Sequence, residues 1–253
     1  MKSLRVLSID WDYLVNATTE QRMRLFPDGG SETLPVMIQD IVWSSRYGEN
    51  EELEKIGVDI KALELLKEFI LKTCSKSTYC MVYDSHKWCF DEIISRLHSN
   101  QSIEVVNVDY HHDLYRNDFL NEVDCGNWVN CLFETNVYRN GKKSDKYYWV
   151  HRRDSDMLSE PKKYMKTKTI EELSTFEGFE FDLLFICRSS VWSPPHLDRD
   201  FIEFYQWIDR NVTRAEVNIT GSRYTEEFRH LVEQHRTTIN ELKKSMKNKR
   251  EVI

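Results

Sequence analysis

The stretch Val105-Val106-Asn107-Val108-Asp109-Tyr110-His111-His112-Asp113, "VVNVDYHHD", begins as a strand and ends as a set of ligands. Its apolar run does not alternate with polar residues, which marks a strand buried on both faces, as in a parallel sheet. Four ionisable groups, Asp109, His111, His112 and Asp113, follow within five residues. Open α/β sheets bind ligands outside the carboxyl ends of their strands. The stretch therefore ties a fold to a site.

The pattern recurs along the chain. Leu4–Asp10 is a β-rich run that continues into Asp10-Trp11-Asp12, and Tyr79–Tyr83 runs into Asp84-Ser85-His86. Tyr147–His151 and Phe181–Cys187 are two further strands. Between them, Ile60–Thr73 places Leu63, Leu66, Phe69 and Ile70 at helical spacing, and Phe90–Leu97 also reads as a helix. Residues 13–50 are loop and helix, with a turn at Pro27-Asp28-Gly29-Gly30. A long charged helix runs from Tyr224 to about Lys247. Strands separated by helices predict a three-layer αβα fold with a mostly parallel central sheet, as one domain over residues 1–253.

Composition narrows the function. The chain has 253 residues, 40% of them hydrophobic, which is enough for a well-formed core. The net charge is -7 and no basic stripe is present, which argues against a nucleic-acid binder. No apolar run approaches the ~20 residues of a membrane span. None of the six cysteines forms a Cys-x-x-Cys pair, so a zinc ribbon is not expected. The N-terminal MKSLRVLSIDWD reaches two aspartates before a signal-peptide core could form, so the expected location is cytoplasmic.

In extended chain, residues i, i+2 and i+4 share a face. Asp109, His111 and Asp113 then point together, as do Asp10 and Asp12, while His112 points away. With His86 the pool is four carboxylates and two imidazoles. Four carboxylates at one point repel one another. Two divalent cations remove that repulsion. Oxygen-rich ligation with some imidazole suits Mn²⁺ better than a thiolate-rich zinc site. A lone Asp-x-Asp usually marks a cap or turn. Three strand ends carrying six compatible ligands favour a metal site instead.

Ser8-Ile9-Asp10-Trp11-Asp12 resembles the S-x-D-x-D motif of the arginase/deacetylase superfamily, and Asp109-Tyr110-His111-His112-Asp113 resembles its D-x-H-x-D motif. Asp84-Ser85-His86 falls where that family carries a histidine ligand, and Cys125-Gly126-Asn127 resembles its S-G-N. The S-x-D-x-D motif comes first here, as if the order were permuted. That order, with Phe26-Pro27-Asp28-Gly29-Gly30 and the run Arg188 to His196, is similar to the peptide arginases, which convert arginine side chains of ribosomally made precursor peptides to ornithine.

The resemblance implies two Mn²⁺ ions. His86, Asp109, Asp113 and Asp10 would hold one, and His111, Asp109, Asp10 and Asp12 the other. Asp109 and Asp10 would bridge, holding the hydroxide that attacks the guanidinium carbon and releases urea. Gly126 and Asn127 would contact substrate, and the partner would be an arginine-containing peptide. The family's proton-shuttle histidine is replaced by Val129, so His112, His151, His196 or bulk water would carry protons. Glu32 would grip the guanidinium, because Asp182 stands too early in its strand. Trp192 would line the mouth, and Trp11 would either line it or pack in the core. The rivals are a single-metal deacetylase-type amidohydrolase, a dinuclear phosphoesterase and a non-catalytic peptide-binding scaffold.

Overall fold

In a computed structural model, which describes residues 3–27, 34–99, 101–115, 122–134, 146–159, 162–176 and 178–250, seven strands form one sheet. They are β1 (Leu4–Asp10), β2 (Tyr79–Tyr83), β3 (Ile103–Val108), β4 (Lys146–Val150), β5 (Met165–Lys168), β6 (Leu183–Cys187) and β7 (Ala215–Asn218). Their order is β5-β4-β3-β1-β6-β2-β7, and every pairing is parallel. The helices are α1 (Thr19–Leu25), α2 (Val36–Glu49), α3 (Ile60–Thr73), α4 (Trp88–Arg96), α5 (Trp128–Glu134), α6 (Asp198–Asn211) and α7 (Glu226–Arg250).

Alternation within the strands divides the core into two layers. Leu7, Ile9, Val82, Val106, Leu184 and Ile186 face α3 and α6 through Leu66, Phe69, Phe201 and Phe204. Val6, Met81, Val105, Leu183 and Phe185 face α4 and α5 through Ile93, Trp128 and Leu132. Both faces of the central strands are thus covered, and β3 and β6 are buried along their whole length. That is the expected three-layer α/β arrangement.

The two edge strands were not anticipated. β5 reads Met-Lys-Thr-Lys and β7 reads Ala-Glu-Val-Asn, and most of their residues are partly or fully exposed. An edge strand needs little apolar content, so it lacks the signature of a buried one. The long terminal helix α7 packs along α2. A Cβ at Gly48 would stand 2.7 Å from the His235 Cβ, so glycine there permits the close approach. Among the described residues, no helix is long and apolar enough to cross a membrane.

β1 lies between β3 and β6, with Ile9 paired to both Val108 and Ile186. The chain exits of β1 and β3 are therefore neighbours. The exit of β2 reaches them only by passing the end of β6.

Candidate metal centre

β1 ends at Asp10, whose carboxylate accepts a hydrogen bond from the Asp12 N–H at 3.0 Å and caps the 3₁₀ turn Trp11–Leu14. β3 ends at Val108. Beyond it the Asp109 carboxylate accepts from the His111 N–H at 2.7 Å, and Asp113 sits in the left-handed region with φ 53°. The expected period-two alternation is therefore not what gathers these side chains. Two short Asx-type turns do so, bending the chain back over the strand ends.

His86 Nδ1 lies 3.3 Å from Asp10 Oδ2, 3.1 Å from Asp109 Oδ2 and 3.2 Å from Asp113 Oδ2. A ring nitrogen carries at most one hydrogen, and this one meets hydrogen-bond geometry with none of the three. The other nitrogen, Nε2, is 2.6 Å from Ser8 Oγ. His86 thus turns one ring nitrogen toward three carboxylate oxygens; burial alone would lower its pKa, but those carboxylates outweigh it and raise the pKa well above the ordinary imidazole value. All of these groups are buried. Such a group of buried Asp and His atoms around one point could hold a cation.

A second group stands beside the first. His111 Nδ1 is 3.0 Å from Asp12 Oδ2 and 3.9 Å from Asp109 Oδ1. Asp12 Oδ2 is buried and makes no hydrogen bond. Donor atoms of Asp10, His86 and Asp109 lie within 4.8 Å of one another, and so do those of Asp12, Asp109 and His111. Asp109 belongs to both sets. These residue types and this spacing fit hard or borderline divalent ions.

The titration behaviour reflects the crowding. Burial, then the charges of Asp12 and Asp109, push the Asp10 carboxyl up to about 8. Burial, then Asp113, push Asp109 up to about 8. Burial alone would lower His111, but Asp12 outweighs it and raises the imidazole to about 9. Asp12 runs the other way: burial would raise it, yet His111 and Arg22 hold it below the usual carboxylate value. Without a cation, the cluster retains protons to limit its charge.

Several supporting residues escaped the sequence reading. Asn107 Nδ2 donates to Asp109 Oδ2 at 3.1 Å, and Trp128 Nε1 donates to Asp113 Oδ2 at 2.6 Å. Trp149 Nε1 donates to the Asp109 carbonyl at 3.0 Å. Asn107 had a visible signal, being a polar residue inside a continuous apolar run. Trp128 and Trp149 had none, since only the tertiary fold brings them near.

Other expected residues are placed differently. His112 packs on Tyr115 and Trp149, its Nδ1 accepts from the Leu114 N–H at 3.0 Å, and burial, then the neighbouring His111, lower its pKa to about 4. His196 is occupied at both ring nitrogens, by Tyr47 Oη at 2.5 Å and the Ile56 carbonyl at 2.7 Å. It braces α2 against the turn before α6 rather than joining the cluster. His151 Nδ1 bonds the Arg152 carbonyl at 2.7 Å.

The Asn127 amide is used within its own loop, accepting from the Asp124 N–H at 2.8 Å and donating to the Glu122 carbonyl at 3.0 Å. Gly126 lies against the Tyr115 ring, where a Cβ would approach to 3.1 Å. Trp11 packs in the core on Phe201 and Phe204. Trp192 is half-buried with its ring 4.8 Å from that of His111, so it does border the site. Glu32 and the Asp28-Gly29-Gly30 turn lie outside the described residues.

β6 supplies no ligand. Arg188 follows it instead, donating from Nε to Asp84 at 2.6 Å and from Nη1 to Asp198 at 3.1 Å. Arg223 grips the same Asp198 and donates from Nη2 to the Ser193 carbonyl at 2.8 Å. This buried ionic lattice ties the segment bearing His86 to the loop bearing Trp192. No protein-family model matches the chain, and no curated protein or solved structure resembles it significantly.

Proposed function

We propose that the protein is a dinuclear manganese hydrolase that converts arginine side chains of a peptide to ornithine and urea. The observation that carries this reading is the pair of candidate ligand sets sharing Asp109, buried apart from the half-buried His111. Asp10, His86, Asp109 and Asp113 would hold one ion, and Asp12, His111, Asp109 and Asp10 the other. Two bound Mn²⁺ ions supply Lewis acidity, which makes water a nucleophile near neutral pH.

The chain's own residues hold and orient. Ser8, Asn107 and Trp128 fix the ligands' geometry from outside, as partners behind ligands generally do. Trp192 offers an aromatic face beside His111, suited to a planar guanidinium. His112 and His196 are engaged elsewhere and His151 bonds the Arg152 carbonyl through Nδ1, so proton transfer is left to solvent at the mouth. The second ligand set, with Asp12 and His111, favours two ions over the single ion of a deacetylase-type enzyme. The buried thiols Cys74, Cys80 and Cys89 support a reducing, cytoplasmic setting.

The test is mass spectrometry of arginine-containing peptides incubated with the Mn²⁺-loaded protein. Conversion to ornithine removes about 42 Da per arginine, the balance of water added and urea lost in metal-assisted hydrolysis. Asp109→Asn should abolish it. Hydrolysis of free arginine with peptides untouched would overturn the peptide assignment. One tightly held zinc and an acetyl-lysine product would point to the deacetylase reading.

A further inference from the structure

Arg22, on α1, is buried to 5% exposure, and its Nε and Nη1 make no hydrogen bond. Its remaining nitrogen, Nη2, donates to the carbonyls of Asp12 at 2.7 Å and Val15 at 2.9 Å. Nη1 stands 4.0 Å from the unpartnered Asp12 Oδ2. The guanidinium lies over the Tyr110 ring, 4.0 Å from its centroid. Tyr110 sits between Asp109 and His111, and its hydroxyl is tied to the Asp154 carbonyl at 2.9 Å. One side chain thus touches both segments that carry Asp12, Asp109 and His111, and no comparable contact to Asp113 or His86 is made by it.

We infer that Arg22 is the positioning residue of the second cation position, the one formed by Asp12, Asp109 and His111, and that it makes the two positions unequal. This rests on the two-ion reading above. The two carbonyl bonds hold the Trp11–Leu14 turn, and with it the Asp12 carboxylate, against Tyr110. A planar, permanently charged fork does this where lysine would not, because lysine lacks both the stacking face and the paired donors. The adjacent positive charge also reduces the net negative charge available to an ion at that position. Asp10, Asp113 and His86, which complete the first position around Asp109, make no ion pair or hydrogen bond with the Arg22 guanidinium, so that position has no guanidinium directly beside its carboxylates. The second ion is therefore the weaker and more exchangeable of the two.

The experiment is Mn²⁺ titration of the metal-free protein by calorimetry and electron paramagnetic resonance, with no peptide present. Wild-type protein should show two classes of site, a tight one and a weaker one, and a spin-coupled pair signal at saturation. Arg22→Lys, which keeps the charge, should weaken the second class by about 10- to 100-fold, the range for lost partners behind a ligand. The tight class should be unchanged, and the isolated-ion signal should persist where the coupled one is lost. Tyr110→Leu, which removes the stacking surface from the other side, should weaken the same class, so the test survives if Arg22→Lys folds poorly. Two unaltered classes in both variants would overturn the assignment, as would equal weakening of both classes, which a merely structural role predicts. Wild-type protein binding only one ion would instead refute the two-ion reading itself.

Discussion

Ser8 Oγ stands 2.6 Å from His86 Nε2, while the ring's other nitrogen, Nδ1, faces the carboxylates of Asp10, Asp109 and Asp113. It lies under the sheet end, where Ser8 shares a face with Asp10. Cys89 Sγ in turn lies 3.7 Å from the Ser8 hydroxyl, so the group is enclosed. Holding the Nε2 proton leaves Nδ1 as a lone pair for a cation.

Ser8→Ala should therefore lower Mn²⁺ affinity at the His86 position by about 10- to 100-fold while leaving the fold intact. Metal analysis after dialysis against a weak chelator reads this directly. Full retention of both ions would show that the contact does not orient the ring.

The metal-free protein should lose stability as pH rises. Asp10 and Asp109, raised to about 8, and His111, raised to about 9, all hold protons more tightly folded than unfolded. Stability from a raised group is fully present below its unfolded value and is lost as pH passes its folded value. The window runs from the ordinary carboxylate range up to about 8 for Asp10 and Asp109 and about 9 for His111. Asp12, which is lowered, opposes this only at the acid end. A bound cation replaces the protons, so the gain in Tm on adding Mn²⁺ should be larger at about pH 8.5 than at about pH 6. Thermal melts in chelator and in Mn²⁺ measure it, and a gain that shrinks with pH would contradict the charge assignment.

Trp128→Phe keeps an aromatic ring beside His86, 5.0 Å away between centroids, and deletes the donor to Asp113. Loss of a hydrogen bond to a charged group costs about 1.5–3 kcal/mol in the metal-free protein. Equilibrium denaturation in chelator should show it, accompanied by weaker binding at the His86 position. An unchanged denaturation midpoint together with unchanged metal content would remove Trp128 from the site.

Trp192→Ala should raise KM for arginine peptides by about 3- to 30-fold, the equivalent of about 0.5–2 kcal/mol of cation–π attraction. Manganese content should stay at the wild-type value, because Trp192 borders His111 without serving as a ligand. Steady-state kinetics with matched metal analysis separate the two, and an unchanged KM would take Trp192 out of substrate binding.

How much of this was visible in the chain depends on range. The buried strands β1, β3 and β6 could be recognised because both their faces are covered, leaving unbroken apolar runs. The candidate ligands could be picked out because ionisable groups directly follow those runs. The edge strands β5 and β7, half in solvent, carried no such mark. His112 was set apart from its neighbours by alternation, yet its burial against Trp149 and Tyr115 came from packing. His196 looked available in sequence and is spent on Tyr47 and Ile56, residues about 140 to 150 positions away.

The sequence by itself determined the class of fold and the pool of six candidate ligands, because both follow from local runs: hydrophobicity along a strand and charge at its end. Only the tertiary structure decided how those ligands divide. The order β3-β1-β6-β2 puts Asp10 beside Asp109 and carries His86 across the end of β6 to meet them. The turns at Asp10 and Asp109 then separate one set around His86 from another around His111. Arg22, Asn107 and Trp128 close around both through contacts between distant parts of the chain. Such contacts depend on strand order and side-chain packing, which no local run of residues encodes.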